Sequence, residues 1–256
     1  MMTSQEMAAR IAELAPWFYP FDLGHGLRTE SAIPPEVTGI FETRLEMVNQ
    51  IVERRFGPRL SEITCLDVGC HEGFYTAAMA RKGMRRVVGI DVREMNLRKA
   101  RFVADAFGLA NASFLEGNCE QLRAEEIGQF DLTLFLGVLY HLENPMLCLR
   151  NVAGVTRELC VVETQVIDEV EGSTEWGARE WTRPYQGALA VIDESGEFYA
   201  DNRETGSTPL ALAPSPKALL FMLKQAGFRQ AEIVPPPAGA YEQHRRGKRV
   251  VCAAFK

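Results

Sequence analysis

One stretch, from Ile63 to Tyr75, most constrains the fold of this chain. Its first six residues are mostly apolar or β-favouring, and a helical pattern begins directly after Gly73. Gly69 lets the backbone turn tightly between the two elements, and Gly73 lets it approach what it binds. The free amides at the start of the helix would face that ligand. The stretch therefore predicts a strand, a glycine loop and a helix that together hold a ligand.

The glycine spacing indicates which ligand this loop binds. A dinucleotide fingerprint requires G-x-G-x-x-G, whereas here Gly69 and Gly73 are four positions apart and no third glycine completes the pattern, so pyrophosphate is disfavoured. A second predicted strand, 87–91, ends at Asp91, where a carboxylate can accept hydrogen bonds from a ribose diol. A third, 112–115, precedes polar groups able to face an adenine edge, and a fourth, 130–136, leads into aromatic residues.

In order and spacing, these four segments resemble the class I S-adenosylmethionine (SAM) methyltransferases over roughly residues 60–256. The resemblance implies an α/β fold with a Rossmann-like sheet of seven strands, of which strand seven is antiparallel. It also implies SAM as cofactor, with S-adenosylhomocysteine as its product. One departure is His71, which stands where the family has the middle glycine of its loop. The cofactor-binding residues that the resemblance implies are Asp67, Gly69, Cys70, His71, Gly73, Asp91, Val92, Asn118, Cys119, Leu136 and Gly137.

A narrower resemblance links the chain to the wobble-uridine tRNA carboxymethyltransferases and their methyltransferase relatives. It rests on the segments 137–141, 144–145 and 162–168. In that tRNA family a tyrosine at the position of Tyr140 and an arginine near the C-terminal end help to hold the carboxylate of carboxy-SAM. Arg245 or Arg246 is expected to supply that arginine here. The lysine-containing segment that those enzymes carry before the fold is not recognisable, so we interpret the similarity as shared ancestry rather than shared substrate.

Composition limits the class of protein. With 256 residues, of which 46% are hydrophobic, the chain can bury a full core as one domain with additions. A net charge of -6 argues against a broad nucleic-acid surface, although a local basic patch could still meet tRNA. The six cysteines form no C-x-x-C pair and are expected to be free thiols rather than disulfides or a metal site. No signal peptide or membrane span is apparent, which predicts a soluble cytoplasmic protein.

Two segments outside the core pattern are expected to cover the crevice. Residues 1–60 are predicted to form a helical arm and lid, and residues 61–256 the SAM-binding domain with an insertion at about 168–214. Aromatic residues in the arm and the insertion either pack these segments onto the domain or shape an acceptor pocket. The candidate substrate residues are Trp17, Tyr19, Trp176, Trp181, Tyr185 and Arg245.

Helical and strand patterns complete the prediction. They predict helices at 4–14, 36–55, 72–82, 94–107, 120–126, 145–155 and 216–227, and strands at 158–166, 231–234 and 249–255. Asn144 is expected to cap the helix that starts at Pro145.

The chemistry of such a site depends on alignment more than on acid or base strength, because SAM carries its own leaving group. The candidate catalytic residues are His141, Tyr140 and Glu163, at the ends of the fourth and fifth strands. His141 either acts as a base or hydrogen-bonds a neighbouring backbone. Tyr140 either positions the methyl group or packs, and Glu163 either contacts an acceptor or is solvated.

Three functions remain open from the sequence. The favoured one is methyl transfer to an O or N atom of a small molecule, such as a secondary metabolite or a sugar-like acceptor. The alternatives are a tRNA wobble-uridine (carboxy)methyltransferase and a SAM-binding protein without catalysis.

Overall fold

The computed structural model describes residues 2–175, 177, 179–195 and 208–256. The strands, in chain order, are β1 (Asp22–Gly24), β2 (Leu27–Arg28), β3 (Thr64–Val68), β4 (Arg86–Asp91), β5 (Ala112–Glu116), β6 (Phe130–Leu136), β7 (Thr156–Gln165), β8 (Leu189–Asp193), β9 (Leu210–Pro214), β10 (Gln230–Val234) and β11 (Arg249–Phe255). The α-helices are α1 (Ser4–Glu13), α2 (Pro35–Phe56), α3 (Phe74–Arg81), α4 (Glu94–Ala106), α5 (Ala124–Ile127), α6 (Pro145–Val155), α7 (Pro216–Ala226) and α8 (Glu242–Arg245).

The centre of the molecule is a seven-stranded sheet with the order β10-β11-β7-β6-β3-β4-β5. The five strands from β3 to β7 pair in parallel, and β11 lies antiparallel between β7 and β10. Every residue of β3 is buried, as expected for a parallel strand covered by helices on both faces. The predicted α/β fold with an antiparallel seventh strand is therefore confirmed.

The register of the sheet brings the predicted site residues to one edge. Asp67 lies beside Leu134 of β6, and Leu136 lies beside Glu163 of β7. The loops that follow β3, β4 and β6 consequently leave the sheet at the same carboxyl edge. Ligands of open α/β sheets bind at this edge, where the strand order reverses. Here β3 is the strand at which it reverses, since its neighbours are β4 and β6.

Some local predictions differ from the structure. The helix predicted from 72 begins at Phe74, because Gly73 adopts a left-handed φ of 79°. The helix predicted at 120–126 is a 3-10 turn at 119–121 followed by the short α5, since Leu122 and Arg123 between them are extended. Asn144 makes no capping bond. Its amide instead donates to Glu120 over 3.2 Å, although the helix does begin at Pro145.

The N-terminal arm packs on the glycine loop. A capping box between Thr3 and Glu6 starts α1. Farther along, the backbone amides of Phe18 and Tyr19 donate to Glu72 over 2.9 and 3.0 Å. Glu72 is fully buried and pairs with the buried Lys99 at 2.6 Å. The arm is therefore held on the loop by hydrogen bonds to a buried, ion-paired glutamate and not by aromatic packing alone.

The described part of the insertion includes β8 and β9, which pair antiparallel and are called the β8–β9 hairpin below. The amide of Leu212 in β9 donates to Leu142 over 3.1 Å, directly after the 3-10 turn 139–141. The hairpin thus lies against the end of the loop that follows β6. Within the described ranges, every helix is too short or too polar to cross a lipid bilayer.

Candidate active site

The glycine loop after β3 contains three residues with left-handed backbone: Gly69, His71 and Gly73. Histidine is among the residues that enter this region with little strain, which explains how His71 replaces a glycine without changing the turn. A Cβ on Gly69 would come within 2.5 Å of Val138, and one on Gly73 within 2.9 Å of Ala100. Gly73 therefore permits the close approach of α4, and its approach to a ligand stays a prediction.

Asp91 at the end of β4 is fixed by the loop beside it. Its carboxylate accepts hydrogen bonds from the amides of His71 and Arg93, each over 2.9 Å, and from the side chain of Asn96 over 3.2 Å. Burial raises the pKa of Asp91, and these donors oppose that rise. The arrangement places a preoriented acceptor next to the glycine loop, where a ribose diol is expected.

Asp67 lies beneath the same loop and is fully buried. Burial raises its pKa to about 6, and the hydrogen bond from the hydroxyl of Thr76, at 2.6 Å, only partly offsets the effect. This carboxylate has little stabilisation of its own in the ligand-free protein. It is suited to receive a cation, such as the amino group of a bound amino acid moiety.

The other predicted cofactor residues have varied positions. Val92 is 46% exposed beyond Asp91, and Cys70 packs in the small core beside α4. The side chain of Asn118 accepts a hydrogen bond from the amide of Glu120 over 2.9 Å and so shapes the 3-10 turn.

Cys119 is buried with its sulfur 3.1 Å from that of Cys148, and all six cysteines are free. Among the described residues, no group of three His, Cys, Asp or Glu side chains is arranged to hold a metal ion.

A cavity of about 180 Å³ opens beside the glycine loop. Gly69, His71, Leu136 and Gly137 line its cofactor side. Its remaining walls come from the arm, from α2 and from the far end of the sheet: Phe18, Tyr19, Ile33, Val37, Ile40, Phe41, Arg44, Tyr140, His141, Gln243 and Arg249. Two of the three predicted catalytic residues therefore line the same cavity as predicted cofactor-binding residues.

The third, Glu163, lies behind this space and not in its lining. It is fully buried and contacts Arg44 at 2.9 Å and Arg249 at 3.0 Å. Burial opposes its ionisation, but the two guanidinium groups outweigh that effect and hold the pKa of Glu163 well below its usual range. The structure thus places Glu163 as the partner of two arginines, and not as a solvated group or a contact for the acceptor.

Arg249 also holds Tyr140. Its Nη2 donates to the tyrosine hydroxyl over 3.0 Å, and its guanidinium lies 4.9 Å from the centre of the ring. The neighbouring His141 pairs through Nδ1 with Glu194 of the insertion at 2.6 Å. Both predicted residues of this turn are therefore oriented by charged partners at the wall of the cavity.

The predicted substrate residues separate into three groups. Tyr19 lines the cavity, where it stacks on Phe74 with 4.8 Å between ring centres. Trp17 is instead buried beneath the arm, where its indole donates to Ile11 over 2.9 Å. Trp181 is 63% and Tyr185 41% exposed, and neither lines the cavity. Arg245 donates to Ala240 outside the cavity lining, and Trp176 lies outside the described residues.

Several site residues were missed from the sequence: Arg44, Arg249, Glu72 and Glu194. A signal existed for Arg44, because it falls on the apolar stripe of α2 between Ile40 and Val48, where a charge needs a buried partner. Arg249 was assigned to the start of a strand, which is correct, but its side chain reaches Tyr140 where Arg245 or Arg246 was expected to do so. Glu194 lies in the polar insertion, where nothing in its sequence neighbourhood marks it.

The residues present fit SAM. The Nε atom of Arg44 is buried without a partner among the described atoms, and Arg44 lines the cavity beside Gly69 and Gly137. A guanidinium there suits the carboxylate of the cofactor's methionine part, while Asp67 suits its amino group and Asp91 its ribose. The aromatic walls from Phe18, Tyr19 and Phe41 suit a sulfonium cation.

Comparisons with known proteins agree with this geometry. Residues 60–199 match the family model described as a methyltransferase domain. A tRNA U34 carboxymethyltransferase of Marinobacter nauticus is 30% identical over 198 residues, which are 75% of this chain and 52% of that protein. The bifunctional O-antigen chain terminator methyltransferase/kinase WbdD of Escherichia coli is 26% identical over 217 residues, 80% of this chain and 29% of that protein.

A solved structure matches along the whole chain. The N-terminal domain of EvdMO1, crystallised in the presence of S-adenosylhomocysteine and D-fucose, has a TM-score of 0.69 and 24% identity, covering 100% of this chain and 96% of that one. The chain spans about half the length of several curated tRNA-modifying relatives that it matches. Because the family model covers more than half of the residues and the strand order and glycine loop agree with it, the chain belongs to the methyltransferase domain family, as a class I SAM-dependent member.

Proposed function

We propose that this protein transfers a methyl group from SAM to an oxygen or nitrogen atom of a small-molecule acceptor. The observation that carries the proposal is the single cavity that joins Gly69 and Gly137 to Tyr140 and His141. A cofactor seated on the loop would present its sulfur to the space that these two side chains border.

The chain's own residues would act by binding, orientation and proton transfer. When bound, SAM supplies the methyl group and a neutral sulfide leaving group. Asp67, Asp91 and Arg44 would hold its amino group, ribose and carboxylate, respectively. Tyr140, fixed by Arg249, would position the acceptor. The His141 ring would take the proton that an alcohol or an ammonium group loses.

The arm and the described part of the insertion would close the site, the arm as a lid from residues 2–60 and the insertion as a cover from residues 168–175, 179–195 and 208–214. Phe18 and Tyr19 are tied to the glycine loop through Glu72, so the lid is attached to the very loop that would hold the cofactor. Aromatic faces stabilise a desolvated cation by about 0.5 to 2 kcal/mol, so closure would favour the bound sulfonium and exclude water.

Two comparisons support a sugar-like acceptor. The EvdMO1 domain was crystallised with D-fucose, and WbdD is named for its action on O-antigen chains. Because these likenesses are 24% and 26% identical, they bear on the class of acceptor and not on its identity. The acidic net charge of -6 agrees with a small acceptor better than with a nucleic acid.

A second candidate function is carboxymethyl transfer to tRNA. The observation in its favour is the contact between Arg249 and the Tyr140 hydroxyl at the cavity wall, because the resembled tRNA enzymes hold a carboxylate with a tyrosine and a C-terminal arginine. The 30% identity to the Marinobacter nauticus tRNA U34 carboxymethyltransferase also supports it. We rank it second because the net charge of -6 argues against the broad basic surface that a tRNA would need.

One experiment separates the candidates. The purified protein would be incubated with methyl-labelled SAM and either a small-molecule extract or total tRNA, with carboxy-SAM and tRNA as a third reaction. We expect label in the small-molecule fraction only, and loss of that label in His141→Ala while affinity for S-adenosylhomocysteine is retained. Label entering tRNA alone would reject the small-molecule proposal. Binding of S-adenosylhomocysteine without transfer to any acceptor would favour a protein that binds SAM without catalysis.

A further inference from the structure

The contact between His141 and Glu194 joins the active-site wall to the insertion. His141 belongs to the 3-10 turn after β6, and Glu194 directly follows β8. Nδ1 of the imidazole lies 2.6 Å from Oε1 of the carboxylate, and the two side chains are only 15% and 13% exposed. The second carboxylate oxygen, Oε2, is buried and has no partner among the described atoms. The histidine is therefore the main polar contact of a largely buried glutamate.

Backbone hydrogen bonds fix both members of this pair. The amide of Glu194 donates to Pro209 over 2.8 Å and so continues the β8–β9 ladder by one residue. On the opposite strand, Leu212 donates to Leu142, the residue after His141, over 3.1 Å. The hairpin ladder thus fixes the backbone of Glu194, and the hairpin is also bonded to the loop that carries His141. Backbone contacts therefore hold the two residues close to each other.

The charges around His141 give the glutamate a chemical role. The cavity wall already contains the guanidinium groups of Arg44 and Arg249, and the carboxylate of Glu163 balances one of them. A proton added to His141 would place another positive charge in this space. The carboxylate of Glu194 faces that imidazole directly and would offset its charge.

We infer that Glu194 is a positioning residue that makes His141 the general base of methyl transfer, an inference that rests on the proposed function. An ionised carboxylate only accepts hydrogen bonds, so Nδ1 carries the ring proton and Nε2 keeps its lone pair. The acceptor's O–H or N–H proton passes to Nε2 as the acceptor's lone pair forms the bond to the methyl carbon, and the bond from that carbon to sulfur breaks with its electrons staying on sulfur. The proton then leaves to solvent, and the base is restored.

Kinetics of matched variants test this role. We expect Glu194→Gln to lower kcat by about 10²-fold or more, with little change in KM or in affinity for S-adenosylhomocysteine, because only the proton transfer is affected. The double variant with His141→Ala should be no slower than His141→Ala alone, because the two groups act as a unit. Asp193→Asn is the control, since it removes the neighbouring exposed carboxylate and should leave turnover unchanged. A Glu194→Gln enzyme as fast as the control would overturn the inference.

A second measurement does not depend on the acceptor. In ¹⁵N NMR spectra of the protein bound to S-adenosylhomocysteine, the His141 ring, identified by its loss in His141→Ala, should carry its proton on Nδ1. In Glu194→Gln that preference should weaken or reverse, because the carboxamide can itself donate. A wild-type ring protonated only on Nε2 would overturn the inference even if methyl transfer occurs. The protein could instead show an Nδ1–H tautomer that depends on Glu194 but no transferase activity. That result would reject the proposed function and would still support the contact between His141 and Glu194.

Discussion

Replacing Asp67 with asparagine should stabilise the ligand-free protein at neutral pH and weaken its hold on the cofactor. Burial raises the pKa of Asp67 to about 6 from an ordinary value of 3.8, so the folded protein carries an ionised, buried carboxylate at pH 7.5. Each unit of difference between the folded-state and ordinary pKa values corresponds to about 1.4 kcal/mol, so the raised pKa of Asp67 lowers the free energy of unfolding by roughly 3 kcal/mol at this pH. The carboxamide oxygen of the asparagine would still accept the hydrogen bond from the Thr76 hydroxyl, but that bond would be weaker. The free energy of unfolding should therefore rise by about 2 kcal/mol in total.

The sign of the pH dependence follows from the raised pKa. Between about pH 4 and 6 the folded state binds a proton that the unfolded state has lost, so stability falls as pH rises through this range. Below about pH 4 the aspartate is protonated in both states, and the advantage of the asparagine should disappear.

Urea unfolding of ligand-free protein at pH 7.5, 6 and 4 measures the effect. Asp131→Asn is a control of opposite sign, because burial raises the pKa of Asp131 but the hydrogen bonds from Thr64 outweigh it and lower the pKa overall. That variant should lose stability at pH 7.5. An Asp67→Asn protein that is no more stable than wild type at pH 7.5, or whose advantage persists at pH 4, would refute the reasoning. The affinity of Asp67→Asn for S-adenosylhomocysteine should fall about tenfold or more, because the amino group of the ligand loses an ionic partner.

Other substitutions should separate structural from cofactor-binding roles. Glu163→Gln should cost about 3 to 5 kcal/mol in urea unfolding, because two buried arginines lose their partner, whereas a loss below about 1 kcal/mol would contradict the ion pairing. Glu72→Gln should speed limited proteolysis in the arm, since Lys99 loses its buried partner and two arm amides bind a weaker acceptor. Asp91→Ala should weaken S-adenosylhomocysteine binding several-fold by calorimetry, and unchanged affinity would remove Asp91 from the cofactor site.

The sheet side of the site could be predicted because its signals are local in sequence. A strand, a glycine loop and the start of a helix occupy thirteen consecutive residues, 63–75, and Asp91 ends the next strand. The order of the seven strands followed from the resemblance that these segments carry. Helix ends were less predictable, since the extended Leu122 and Arg123 interrupt an apparently helical stretch.

The opposite wall could not be predicted, because its contacts join distant parts of the chain. Arg249 reaches Glu163 across 86 residues of sequence, and His141 reaches Glu194 across 53. No periodic pattern specifies such pairs. The predicted roles of the aromatic residues in the arm were uncertain for a related reason. Trp17 and Tyr19 are two positions apart in one apolar segment and were both predicted to contact substrate, but of the two only Tyr19 lines the cavity. Which of them faces the ligand depends on the path of the arm over the loop.

Three glutamates each tie a segment outside the glycine loop to the crevice, but their partners differ in kind. Glu72 and Glu163 are fully buried and pair with lysine and arginine side chains. Neither pair takes part in the proposed proton transfer. Glu194 is largely buried and faces His141, which the proposed mechanism uses as the base. Loss of Glu72 or Glu163 should therefore appear mainly as lost stability, and loss of Glu194 mainly as lost turnover. A Glu194→Gln protein that is destabilised as strongly as Glu163→Gln, but that keeps the turnover of the wild type, would show that Glu194 acts on the fold and not on the reaction.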